Sequence, residues 1–127
     1  MIVVDASVAV LGLVNDGDAR AQLATEALAA PHLVDSEVAH ALRAQVLRGD
    51  IAAIDGERAL DRWAHLGVER LGVVGLLPRV WELRNNLTAY DATYVAIAEA
   101  LGCSLVTADR RMANAAGPRC PITVVAT

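Results

Sequence analysis

The first strand and the turn after it decide the fold, and residues 1–8 read MIVVDASV. Ile2–Val4 is a short β-branched run, which is typical of a strand buried on both faces of a sheet. Asp5 ends this run, and Ser7 can cap the apolar helix predicted over residues 8–14. Because an acid directly after a buried strand must be solvated or paired, Asp5 is a first candidate for a functional residue.

Downstream of this stretch, apolar runs alternate with helical patterns. The pattern predicts strands at 32–34, 68–74, 104–107 and 122–125, and helices at 19–29, 36–48, 55–65, 75–86, 88–100 and 109–115. Strands that alternate with helices indicate an α/β fold. We therefore predict a single three-layer domain over residues 1–127, with a mostly parallel central sheet, helices on both faces and right-handed crossovers.

The composition excludes several classes of protein. A hydrophobic fraction of 55% excludes disorder. All 11 basic residues are Arg, so the chain has no Lys for a Walker-A motif, a Schiff base or a kinase site. The net charge of −4 lacks the basic excess of a DNA-coating protein. Cys103 and Cys120 are too few for a disulfide scaffold, and residues 1–5 suit neither a signal peptide nor a membrane span. We expect a soluble cytoplasmic protein.

Four carboxylates map to one edge of the predicted sheet. In open parallel sheets, sites form beyond the carboxyl ends of the strands, and the acids that fall there are Asp5, Glu37, Asp91 and Asp109. Four acids in one cleft repel each other unless a cation neutralises them, and oxygen ligands suit Mg²⁺ or Mn²⁺. Such a site points to phosphoester chemistry, in which two ions would clamp the attacking and leaving oxygens.

Other interpretations of single residues stay open. The helix dipole alone accounts for Glu37 or Asp91 taken singly, and Asp35 competes with Glu37 for the same position. Glu37 and His40 form a Glu-x-x-His pair, but a di-iron bundle needs a second copy that the chain lacks. Trp63 and Trp81 are predicted to lie in the core. Ser7 and Thr107 either support the neighbouring acids or cap helices.

The four acidic positions lie in motifs of a known family. The sequence resembles the PIN-domain ribonucleases, most closely the VapC toxins of VapBC toxin–antitoxin pairs, essentially from end to end. Phosphotransfer folds with a related site need a Lys that is absent here. The matching stretches are Ile2-Val3-Val4-Asp5-Ala6-Ser7, Ser36-Glu37-Val38 leading into Ala41-Leu42-Arg43, Leu87-Thr88-Ala89-Tyr90-Asp91-Ala92 and Leu105-Val106-Thr107-Ala108-Asp109-Arg110-Arg111.

The resemblance implies a PIN-like domain with Mg²⁺- or Mn²⁺-dependent endoribonuclease activity. The family's acidic positions would fall on Asp5, Glu37, Asp91 and Asp109, which would act as catalytic residues and metal ligands. A metal-activated water would cleave RNA to leave a 3′-hydroxyl and a 5′-phosphate. The resemblance also implies a homodimer and a cognate VapB antitoxin that occupies the cleft.

Without Lys, charged contacts to the RNA phosphates must come from Arg. Guanidinium groups bind phosphate through two parallel hydrogen bonds, and the candidates are Arg43, Arg110 and Arg111. Two alternatives to a toxin stay open: a PIN-type RNA-processing nuclease without an antitoxin, and a non-catalytic PIN module that binds RNA or protein.

Overall fold

The computed structural model describes residues 1–127 and contains one five-stranded sheet and seven α-helices. The strands are β1 (Ile2–Val4), β2 (Leu28–Pro31), β3 (Val68–Leu71), β4 (Ser104–Thr107) and β5 (Ile122–Val124). The helices are α1 (Ala6–Val14), α2 (Asp18–Thr25), α3 (Leu33–Arg48), α4 (Ala53–His65), α5 (Leu77–Glu82), α6 (Ala89–Leu101) and α7 (Arg110–Asn114), and a 3₁₀ turn over Val74–Leu76 precedes α5.

The sheet has the strand order β3-β2-β1-β4-β5, and every neighbouring pair is parallel. The chain adds strands on one side of β1 and then returns to add β4 and β5 on the other side. The strand order therefore reverses between β1 and β4, and a crevice forms there at the carboxyl ends of the strands. Asp5 follows β1 and Asp109 follows β4, so both acids lie at this reversal.

The helices form two packed groups. Helix α1 contacts α2, α3 and α4, whereas α6 contacts α5 and lies along β1, β2 and β4. The residues of β1 and the middle of α6 are buried and contribute to one hydrophobic core. The predicted α/β class with a central parallel sheet is confirmed, and the sheet is entirely parallel. No helix is long and apolar enough to span a membrane.

The predicted boundaries are wrong around the second strand. The predicted helix 19–29 ends at Thr25, and the strand lies at Leu28–Pro31 instead of 32–34. Leu28 and the two following alanines fit a helical spacing as well as a strand. They become a strand because they pair with β1 on one side and β3 on the other. Pro31 is the last residue of the strand and lies beyond the two positions, Leu28 and Ala29, at which β2 pairs with β1.

Three further predictions need correction. The predicted strand 68–74 ends at Leu71, where its pairing partner β2 also ends. The predicted helix 75–86 divides into the 3₁₀ turn and the six-residue α5. Trp63 is buried as predicted, but Trp81 is 67% exposed and stacks on the Arg84 guanidinium, 4.8 Å from the ring centroid.

Candidate active site

Asp5 directly follows β1 and is held by groups from α1 and β4. Its carboxylate caps α1 by accepting a hydrogen bond from the Val8 backbone N–H (3.1 Å). Ser7 Oγ donates to Oδ1 (2.6 Å) and Thr107 Oγ1 donates to Oδ2 (2.5 Å). Asp5 is only 8% exposed, and burial raises its pKa although the three hydrogen bonds lower it. These donors compensate much of the cost of burying a carboxylate.

Ser7 and Thr107 also connect Asp5 to the loop after β4. Ser7 Oγ accepts a hydrogen bond from the Ala108 backbone N–H (3.0 Å), and Thr107 Oγ1 accepts one from the Asp109 backbone N–H (3.0 Å). The two hydroxyl oxygens lie 3.3 Å apart. Neither side chain caps a helix: the predicted Ser7 cap of α1 is wrong because Asp5 takes that role, and both hydroxyls instead fix the Asp5 carboxylate relative to the backbone that carries Asp109.

Glu37 lies one turn into α3 and is held by a residue of α6. The Tyr94 hydroxyl donates to Glu37 Oε1 at 2.5 Å, and Tyr94 is itself almost fully buried. Partial burial raises the pKa of Glu37, the Tyr94 hydrogen bond lowers it, and the charges of Asp91 and Asp5 raise it. Burial and the neighbouring carboxylates raise the pKa of the Tyr94 phenol, so this hydroxyl keeps its proton and acts as a donor.

Asp91 and Asp109 join Asp5 and Glu37 in a group of acids that we call the acidic edge. The pKa values of Asp91 and Asp109 are shifted in opposite directions. Asp91 lies in the first turn of α6, where its backbone N–H donates to the N-cap Thr88 (3.1 Å). Burial, Asp5 and Asp109 all raise the pKa of Asp91. Asp109 caps α7, and its Oδ2 pairs with Arg111 at 2.9 Å. That guanidinium lowers the pKa of Asp109.

The structure thus places each of the four predicted acids close enough to at least one of the others for their charges to interact, although Glu37 and Asp109 are not linked directly. The charges of Asp5 and Asp91 raise the pKa of Glu37, and the charges of Asp5 and Asp109 raise the pKa of Asp91. Mutual repulsion of this kind is the condition that a bound cation relieves. Asp35 does not belong to this group, because it pairs with Arg70 (2.9 Å) and accepts a hydrogen bond from Trp63 Nε1 (2.8 Å).

The donor set fits a hard divalent cation. No three His, Cys, Asp or Glu side chains are arranged to hold a metal ion by themselves. Mg²⁺ does not need such a cage, since proteins usually bind it through one or two carboxylates, several waters and a substrate phosphate. Carboxylates that are partly buried and repel one another offer the oxygen ligands and the negative charge that this cation prefers.

The three predicted RNA-contacting arginines are all exposed, but they lie in different places. Arg110 and Arg111 begin α7 directly after Asp109. Arg43 lies six residues after Glu37 on α3, which is about 120° around the helix axis from Glu37. Arg43 therefore faces away from the direction in which Glu37 meets the other acids.

Sequence reasoning missed two tyrosines at this site. Tyr94 follows Asp91 by three residues, a spacing that places both on one side of α6 and could have indicated it. Tyr90 precedes Asp91 and lines an open cleft of about 870 Å³ beside the acids. The cleft lies between the starts of α1 and α6 and the first half of α3, and Ser7 and Glu37 form part of its wall.

Comparison with known proteins gives consistent matches. The PIN domain family matches residues 2–118. The chain is 58% identical to ribonuclease VapC9 of Mycobacterium tuberculosis (strain H37Rv) over 98% of both chains. The crystal structure of PAE2754 from Pyrobaculum aerophilum superposes with a TM-score of 0.69 at 29% identity, covering 97% of this chain and 83% of that one. VapBC2 from Rickettsia felis, crystallised with a promoter DNA fragment, shares the fold (TM-score 0.68, 14% identity, 96% and 97% coverage).

Proposed function

Because this chain belongs to the VapC ribonucleases of the PIN-domain family, we propose that it is a toxin whose acidic edge hydrolyses RNA with the help of Mg²⁺ or Mn²⁺. The observation that carries this proposal is the position of Asp5, buried at the strand-order reversal and oriented by Ser7 and Thr107. Asp5 and Asp91 are the principal metal ligands in this proposal, and Glu37 and Asp109 complete the catalytic set.

The proposed reaction is hydrolysis of one phosphodiester bond. Water attacks the phosphorus, the bond from phosphorus to the 3′ oxygen breaks, and this oxygen takes up a proton. The products carry a 3′-hydroxyl and a 5′-phosphate. A bound divalent cation would supply positive charge for the phosphate and lower the pKa of water.

The side chains of the site have separate tasks in this reaction. Ser7 and Thr107 keep the Asp5 carboxylate in one orientation. Tyr94 binds Oε1 of Glu37, which leaves Oε2 to accept a proton from the attacking water. A carboxylate whose pKa is raised by burial is a better base for this step than a solvated one. Arg110 is exposed without an ion pair and, with Arg111 beside Asp109, is suited to bind the RNA phosphates.

Asp5→Asn tests the activity and the site together. The amide matches the carboxylate in shape but lacks its charge, so we expect metal-dependent RNA cleavage to be lost while the fold persists. RNA ends are sequenced after brief expression of the wild type and the variant, and purified proteins are assayed with Mn²⁺, Mg²⁺ or a chelator. Asp61→Asn, an exposed acid on α4, is the matched control. Wild-type cleavage by Asp5→Asn would show that the site is assigned wrongly.

The cation is tested separately by thermal unfolding. A ligand that binds only the folded state raises the melting temperature. We expect Mn²⁺ to stabilise the wild type and to stabilise Asp5→Asn much less. Equal stabilisation of both proteins would contradict the proposed ligand.

The proposed partners are RNA, a VapB-type antitoxin and a second copy of the chain. The antitoxin follows from family membership, and its expected effect is that co-expression relieves growth arrest by the wild type. The homodimer is supported by an exposed apolar stripe over Val74, Leu77 and Trp81. Sedimentation of the purified protein tests this part of the proposal.

A further inference from the structure

The cleft beside the acidic edge is suited to an uncharged, flat group. Its volume of about 870 Å³ lies within the range of small-molecule sites. Four of its eight lining residues are hydrophobic, among them Ala6, Leu33 and Ala41. Ser36 and His40 add groups that can form hydrogen bonds. The ring of Tyr90 is 66% exposed and stands at the edge of this space.

The charges around the cleft decide which part of an RNA it can take. No Arg lines the cleft, and Glu37 forms part of its wall, so a phosphate would be repelled there. Arg110 and Arg111 lie instead at the start of α7, directly after Asp109. An RNA backbone that runs past the acids therefore meets positive charge at α7. The cleft between α1, α3 and α6 is then free to bind a base.

We propose that this cleft binds one unpaired nucleobase next to the scissile phosphate, with the ring of Tyr90 stacked on the base. The inference rests on the proposed ribonuclease function, because Ser7 and Glu37 belong both to the cleft and to the acidic edge. A base in a duplex is covered on both faces, so the bound nucleotide comes from a single-stranded segment or loop. Ser36 and His40 contact the edge of the base and provide its selectivity.

The test measures RNA binding without cleavage. Variants are made in an Asp5→Asn background, and a labelled single-stranded RNA that the wild type cleaves is titrated by fluorescence anisotropy. Tyr90→Ala should weaken binding by about 5- to 150-fold, the range for loss of one base stacked on an aromatic ring. Tyr90→Phe keeps the ring and should keep most of the affinity. His65→Ala removes an exposed ring on α4 that does not line the cleft, and it should leave the affinity unchanged.

A second set of RNAs identifies the stacked base. Each nucleotide around the cleavage point is replaced in turn by an abasic one. One abasic RNA should bind equally to the Asp5→Asn protein and to the same protein with Tyr90→Ala. The base that stacks on Tyr90 is missing from that RNA, so the ring has nothing to bind. If Tyr90→Ala lowers the affinity for every abasic RNA by the same factor, or for none of them, the proposed base pocket is wrong.

The outcomes also separate this inference from the proposed function. If the wild type cleaves no RNA, both fail. If the wild type cleaves RNA but Tyr90→Ala leaves RNA affinity and KM unchanged, only the base pocket fails. If Tyr90→Ala weakens binding of the antitoxin and not of RNA, the cleft serves a protein partner and the inference is overturned.

Discussion

Tyr94 shows how one hydroxyl controls an acid at the site. It donates to Glu37 Oε1 from a buried position on α6, and this contact favours the ionised form of Glu37. Glu37 and Tyr94 are 57 residues apart, so no local pattern links them. Glu37 could be predicted from the sequence, but its partner Tyr94 could not, because the fold alone brings these two residues together.

Tyr94→Phe should reduce kcat/KM by about 10-fold or more, because loss of a partner that orients an active-site carboxylate commonly has this effect. Without the donor, the pKa of Glu37 rises further above its ordinary value. Glu37 then becomes protonated at higher pH, so the acidic limb of the pH–rate profile should move toward higher pH. The measurement is kcat/KM as a function of pH for both proteins.

A purely structural role for Tyr94 makes a different prediction. In that case Tyr94→Phe would lower the thermal stability and leave the acidic limb where it is in the wild type. A displaced limb with an unchanged melting temperature would identify Tyr94 as a positioning residue.

At the scale of elements, the two central strands β1 and β4 are easier to predict from the sequence than β2. The predicted bounds of β1 and β4 agree with the structure to the residue, and at β1 the reason is plain, because its β-branched run stops at Asp5. β2 is rich in alanine and fits either a helix or a strand, and only its two neighbours decide the outcome. The sequence predicts a buried Trp81 because its neighbours are apolar. However, α5 has only six residues and buries only Val80 among them.

Close packing of α1 on α2 gives a prediction at this scale. A Cβ on Gly12 would lie 2.6 Å from Leu23 Cδ1 and 3.0 Å from the Ala19 backbone, and that backbone cannot move without shifting α2. Gly12→Ala should therefore lower the free energy of unfolding by about 1–3 kcal/mol. Chemical denaturation measures this change. Gly75→Ala is the matched control, because a Cβ there meets no atom within 4 Å, and equal effects of the two variants would contradict the packing argument.

For the whole molecule, Glu99 connects α6 to α5 and to the segment before β5. Its carboxylate accepts hydrogen bonds from Arg79 Nε (2.7 Å) and the Arg119 backbone N–H (2.7 Å), and Arg79 also donates to the Gly117 carbonyl (2.8 Å). The pair is mostly buried. The Arg79 guanidinium lowers the pKa of Glu99 below its ordinary value of 4.5.

The stabilisation from this contact depends on pH. Since the folded pKa of Glu99 is lowered, the contribution is complete above the ordinary pKa and is lost as the pH falls through it toward the folded value. Glu99→Gln should cost about 1–2 kcal/mol near neutral pH, and its stability should fall less steeply on acidification. Urea unfolding at several pH values measures both effects.

Glu57→Gln provides the comparison for this variant. Glu57 is exposed on α4 without an ion pair, so its replacement should leave both the stability and its pH dependence as in the wild type. If the curves of Glu99→Gln and the wild type stay parallel down to acidic pH, the Arg79 contact does not stabilise the fold through charge.

The hydrogen bond between Asp5 and Thr107 joins residues that are 102 positions apart. During synthesis, Asp5 therefore leaves the ribosome long before the strand that carries its partner. β1 acquires its neighbour β4 only when nearly the whole chain has been made, and domains fold as units. An unfinished chain consequently lacks the Thr107 donor that completes the setting of its central carboxylate, and we expect the proposed activity to arise only once synthesis is nearly complete.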